Sequence, residues 1–281
     1  MLDKLQDATL EEYKKKQQSN KSKYHFDKLK MYFGEDYEVK GIKISIPTIG
    51  DILKVGEDRF YQALSPFLYN STSIRVMLWD YLEKDWNKVK DIEVYDLMSQ
   101  MVQDKEPLKL IFKDKSFDDF QLVQINKKQH EINEDDKKKT KEQLELGLYS
   151  HSQDILISEE NYMEIAEYIR EMMNVHPKKE KVKGKSAIAW TIQEDKMNAQ
   201  FEKDKNRSGS TLLPLISSCI NHPGFKYKLQ ELREVGIYQF MDSVKRIQKY
   251  ENGTAALKGC YSGFVSGKDV GEDTLNFMGD V

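Results

Sequence analysis

The sequence predicts an α+β protein that is predominantly helical, with a small β-element near residues 108–157. Three observations carry this. Several long segments repeat apolar residues at i, i+3, i+4 and i+7, the spacing of one helical face. One short segment, Val39 to Ile46, alternates apolar and polar residues in its second half. The stretch from Leu108 to Ile157 holds short β-type runs separated by turn residues and charge.

Residues 1–30 are lysine-rich, with thin apolar support from Leu2, Leu5 and Leu10, and are expected to form a mobile N-terminal helix. The helical core is expected over 31–252. Val39–Ile46 is its first strand, stopped by Pro47. Thr48 is placed to cap a helix running through Phe60 with Ile49, Ile52 and Leu53 inward. Ser73 to Leu82 repeats Ile74, Met77, Leu78, Tyr81 and Leu82 on one face. After Asp85-Trp86, Asp91 is positioned to cap a further helix, ended by Pro107.

Leu108–Phe112 and Phe120–Ile125 read as strands, and Asp154–Ile157 as a third. Between them, Lys127–Gln143 mixes six lysines with five acids and is expected to be a mobile loop. Ser158 then caps the clearest helix, with Glu159 and Glu160 in its first turn and a stripe of Tyr162, Ile165, Ala166, Ile169, Met172 and Met173. Lys178–Lys185 reads as a linker. Ser186–Arg207 reads as a polar helix carrying Ile188, Trp190, Ile192, Met197 and Phe201, and Leu212–Ile220 as an apolar one. Gly236–Tyr250 places Ile237, Phe240, Met241, Val244 and Ile247 on one stripe. Residues 253–281 hold six glycines and four acids and read as a loop-rich tail.

Composition narrows the function classes. Charged residues are 32% and mean hydropathy is −0.71, more polar than an average domain, yet aromatic residues at 11% still allow a real core. Net charge is −3, whereas a general nucleic-acid binder is basic overall. Basicity is local. Lys14–Lys30 holds seven lysines and one acid, and Lys178–Lys185 five lysines and one acid. Two cysteines, Cys219 and Cys260, are too few for a disulfide framework. The N-terminus has no apolar run of signal-peptide type, and no run of about 18 apolar residues exists to span a membrane. These features point to a reduced, cytoplasmic protein.

Catalytic chemistry has little to stand on. The histidines, His25, His130, His151, His176 and His222, lack the i, i+4 spacing of a helix-borne metal site. The adjacent acids Asp118-Asp119, Glu134 to Asp136 and Glu194-Asp195 sit on polar stretches, where they diverge into solvent instead of converging in an apolar pocket. Gly50 to Gly56 lacks the order of a phosphate-binding loop, and Gly259-Cys-Tyr-Ser-Gly263 puts Tyr261 where a nucleophile elbow needs serine. The expectation is therefore no enzyme, no metal and no cofactor. Candidate partner contacts are Trp79, Trp86, Phe240 and Val244. Trp86 lies in a polar turn, which suits an interface anchor.

Two stretches carry a resemblance. One is Ile44-Ser-Ile-Pro-Thr-Ile-Gly-Asp-Ile-Leu-Lys-Val-Gly-Glu57, followed by Leu78-Trp-Asp80. The other is Ile237 to Ile247, followed by Gly259-Cys-Tyr-Ser-Gly263. They resemble a group of structural and morphogenesis-module proteins of tailed bacteriophages and prophages of Gram-positive bacteria, over Tyr32 to Met278. The resemblance implies virion assembly, and within it tail morphogenesis, as a tail assembly chaperone or a tail-associated accessory protein. It implies phage tail components as partners, and the host cytoplasm during assembly, or the virion, as the location. It carries no catalytic residue. The alternative is a nucleic-acid-associated phage protein using the two lysine runs, with Lys14, Lys15, Lys16, Lys178, Lys179 and Lys181 as contacts. That would need the runs to converge in space.

Overall fold

A computed structural model describes residues 24–126, 144–205, 209–268, 270–276 and 278–279. The fold is α+β and mostly helical. The N-terminal helix expected before residue 24, the loop expected at 127–143, and Lys14, Lys15 and Lys16 lie outside the described residues.

Helix α1 (Lys28–Tyr32) is capped by Asp27, whose carboxylate accepts from the amides of Leu29 and Lys30. The single strand expected at 39–46 is instead a hairpin of β1 (Tyr37–Val39) and β2 (Ile42–Ile44). Lys40 and Gly41 have φ of 50° and 81°, the left-handed pair of a tight two-residue turn. Alternation alone does not reveal a turn inside so short a run.

Thr48 caps α2 (Ile49–Val55) as expected, in a reciprocal capping box with Asp51. The helix does not run on to Phe60. Gly56, at φ 94°, ends it and begins α3 (Glu57–Leu68). Pro66 inside α3 cannot donate to the Gln62 carbonyl, and the Ser65 hydroxyl donates to that carbonyl instead, at 2.8 Å. Two short helical segments follow, α4 (Arg75–Asp80) and α5 (Asp91–Met101). Asp91 is the first residue of α5 and not its cap. The Lys90 amide is satisfied by the Glu93 carboxylate at 2.8 Å.

Leu108–Phe112 is not a strand. Pro107 starts a 3₁₀ turn over Glu106–Leu110, and Leu108, Ile111 and Phe112 all turn inward, a spacing that suits a turn and not a pleat. The three-stranded antiparallel sheet is β3 (Phe120–Asn126), β4 (Leu144–Ser150) and β5 (Ile155–Ser158), in the order β3-β4-β5. Its middle strand, β4, was not anticipated. Leu144, Leu146 and Leu148 alternate along it, and Gly147 lies on the opposite face, where a Cβ would lie 3.0 Å from the Ile157 carbonyl oxygen across the pair.

Ser158 caps α6 (Glu159–Met172), which lies against this sheet and against α3. Near its C-terminal end Arg170 is fully buried. Its guanidinium donates to the Phe67 and Tyr69 carbonyls at 2.9 and 2.8 Å, satisfying the end of α3. Asp91 at 2.9 Å and Glu167 at 3.1 Å supply the countercharge.

The C-terminal half comprises α7 (Lys185–Lys205), α8 (Leu212–Asn221), a 3₁₀ turn at Glu231–Glu234, α9 (Ile237–Tyr261) and α10 (Glu272–Leu275). It belongs to the same core: the amide of Ile49 donates to the Val235 carbonyl and that of Ile237 to the Pro47 carbonyl. The loop-rich tail expected from residue 253 begins later, because α9 continues through Tyr261 with Gly253 buried. The main hydrophobic core joins the hairpin, α2, α3, α5, α6 and the start of α9. A second, smaller cluster gathers Ile74, Leu78, Trp86, Val94 and Ile192.

Candidate partner-binding surface

The second cluster positions the surface that stands out. Helix α7 docks on it through Ile188 and Ile192, and through Asp195 one turn further on. These positions, i, i+4 and i+7, share one face. Arg75 of α4 meets Asp195 with two hydrogen bonds, Nε to Oδ2 and Nη2 to Oδ1, the second at 2.7 Å. The same guanidinium reaches Glu180 at 2.8 Å and lies 6.0 Å from the centre of the Trp86 ring. A polar groove of about 1030 Å³ runs beside these groups, with Tyr81, Lys178, Glu194 and Gln200 among its walls.

The opposite side of α7 is apolar and bare. Trp190, Met197 and Phe201, at i, i+7 and i+11, are 75%, 49% and 59% exposed. At 100° per residue they fall on the face roughly opposite Ile188 and Ile192. One helix thus has one apolar side spent on its own chain and a second turned to solvent. A second exposed apolar group lies at the end of α9, where Tyr261 and Phe264 are 85% and 91% exposed.

The residues nominated from sequence fare differently. Trp86, expected as an anchor in a solvent-facing turn, is 1% exposed and fills the second cluster, with its ring edge-on to Trp79 at 5.9 Å. The polar residues around it gave no sign of that, because its apolar partners Ile74 and Val94 lie outside the turn and Ile192 lies more than a hundred residues away. Phe240 is fully buried in the main core and Val244 packs against it, so their stripe faces inward. Trp79 keeps 36% of its surface. Lys178, Lys179 and Lys181 are exposed on a strap between α6 and α7. The strap is no free linker: Asn70 donates to the Lys178 carbonyl at 3.0 Å, and Asn87 exchanges two hydrogen bonds with Val182. Trp190, Met197 and Phe201 were visible in the sequence as part of a polar helix. Their placement opposite Ile188 and Ile192 could have been found by resolving that helix into two faces.

Among the described residues, no group of three or more His, Cys, Asp or Glu side chains could hold a metal ion, and no helix is long and apolar enough to cross a membrane.

Comparison with protein families matches residues 202–278 to the YomV second domain. The match takes in the end of α7 and all of α8, α9 and α10. This family is of phage and prophage type, and the match supports a phage origin for the chain. Comparisons with curated proteins and with solved structures gave no match.

Proposed function

We propose that this chain is a non-enzymatic phage assembly protein that works by binding other phage proteins, with the bare side of α7 as its principal contact. One observation carries the proposal: Trp190, Met197 and Phe201 form an apolar face opposite the face that α7 already uses. Large aromatic and Met side chains gathered on a rigid element are the usual anchors of protein interfaces. Within phage assembly, the sequence resemblance favours tail morphogenesis, as a tail assembly chaperone or a tail-associated accessory protein, and makes tail components the partners.

The test is affinity capture of the tagged full chain from phage-producing cells, with mass spectrometry of the eluate and of purified particles. The expected result is co-elution of tail proteins, reduced at least about tenfold by Trp190→Ala with Phe201→Ala. These exposed positions leave the fold intact, so melting should be unchanged. Capture of the same proteins at wild-type levels by the double variant would overturn the assignment of the surface. Capture of no phage protein by the wild-type chain would overturn the function. Presence in particles at fixed stoichiometry would identify an accessory component, and absence from them a chaperone.

A further inference from the structure

We infer that the 178–185 strap and the 83–90 turn together form a binding surface for the phosphate backbone of nucleic acid. This goes beyond the partner-binding proposal and does not depend on it. The sequence shows the strap as an isolated lysine run. The structure brings a second basic segment to it. Asn87, in the turn, donates through Nδ2 to the Val182 carbonyl and accepts from the Val182 amide, both at 3.1 Å. Lys84 and Lys88 stand on that turn, and both are exposed.

On the strap, Glu180 reaches Arg75 while remaining 48% exposed, and Val182 packs into the second cluster. Lys179, Lys181 and Lys183, between and beyond them, are exposed. In extended chain, side chains two residues apart share a side and lie about 6.6 Å apart. That is roughly twice the ~3.4 Å axial rise between phosphates along one strand of a duplex. Nearby acids are mostly engaged elsewhere. Glu180 is held by Arg75 and Glu159 by Lys90, while Glu167 holds Arg170 and lies 3.9 Å from Lys179. Asp85 accepts from Asn87 and lies 3.9 Å from Lys88. Glu83 is the remaining acid on the turn. The strap and the turn together carry eight lysines against three acids, so a local excess of positive charge survives on a chain of net charge −3.

The chemistry selects the ligand. Lysines are point charges suited to phosphate oxygens, and phosphate contacts carry no sequence information, so binding should ignore sequence. The strap's one apolar side chain, Val182, faces inward, so nothing here anchors in a bilayer.

The experiment is fluorescence anisotropy of the full chain with labelled single-stranded DNA of two unrelated sequences, and with the matching duplexes, from 50 to 200 mM salt. Four or five phosphate contacts predict similar affinity for the two sequences and a fall of roughly 100-fold over that range. Combined Lys179→Glu, Lys181→Glu and Lys183→Glu should abolish binding, while Lys43→Glu with Lys226→Glu, both exposed elsewhere, should leave it within about threefold. The milder Lys181→Gln with Lys183→Gln should lower the salt slope by about 2 and keep the wild-type melting temperature, which separates lost contacts from lost fold. No binding by the wild-type chain, salt-independent binding, or equal loss in the Lys43/Lys226 control would overturn the proposal. Binding to anionic vesicles or to heparin but not to DNA would overturn it in favour of another polyanion.

Discussion

Arg75 and Asp195 are bound through a two-point contact that fixes α7 against α4, and Glu180 extends it to the strap. The Arg75 side chain is 10% exposed, so the pair is partly desolvated and its geometry is fork to carboxylate. The bare apolar face of α7 is oriented by this contact. Asp195→Ala should cost about 2 kcal/mol, the scale of hydrogen bonds to a charged group, because Arg75 keeps Glu180 as a partner. Arg75→Lys should cost nearly as much, since an ammonium cannot replace a planar fork. Urea denaturation measures both. A change below about 0.5 kcal/mol in either variant would show that Ile188 and Ile192 alone hold the helix.

How much of this was legible in the sequence depends on where a residue's partners lie. The stripe of α6 and the caps at Thr48 and Ser158 are local patterns, and the structure reproduces them. The resemblance to phage proteins agrees with the family match over residues 202–278. Trp86 misled because local polarity says nothing about Ile192, more than a hundred residues away. Phe240 and Val244 form a true amphipathic stripe, but a stripe does not say whether it meets its own core or a partner. The 3₁₀ turn at Glu106–Leu110 follows from Pro107, and strand β4 was legible in the alternation of Leu144, Leu146 and Leu148 that closes the charged segment before it. The basic surface was half legible: the lysine run is in the sequence, but its approach to the 83–90 turn is made by Asn87 and Val182.

Asp119 ties the β3 end of the sheet to the turn after β4. Its carboxylate accepts from the Ser150 hydroxyl at 2.7 Å and from the Ser152 amide at 2.8 Å, and these bonds pull its pKa down to about 2. An unfolded aspartate titrates near 3.9. A depressed folded pKa gives stability that is present above about pH 4 and lost as pH falls through about 2. Asp119→Ala should therefore lower the melting temperature by roughly 2–4 °C at pH 6. The gap to wild type should narrow steadily below pH 4 and close near pH 2. A gap that stays constant across that range would mean the carboxylate's charge contributes nothing to the sheet.

Gly253 is the first residue of the loop-rich tail expected from the sequence, and the structure gives it a different role. It is buried in the helix, and a Cβ built there would lie 2.8 Å from the Thr274 carbonyl oxygen. The backbone of α10 rests where a side chain would be, and Arg246 holds the following chain by donating to the Gly279 carbonyl at 2.7 Å. Gly253→Ala acts in two opposing directions. It stabilises α9 by roughly 0.5–1 kcal/mol through helix propensity, and it forces α10 off the helix because the obstructing atom is backbone. The expected outcome is a melting temperature near wild type with several-fold faster proteolysis within residues 262–279. Limited proteolysis followed by mass spectrometry reads this directly. If cleavage there is no faster than in the wild-type chain, α10 tolerates the methyl group and the absent side chain is not what seats it.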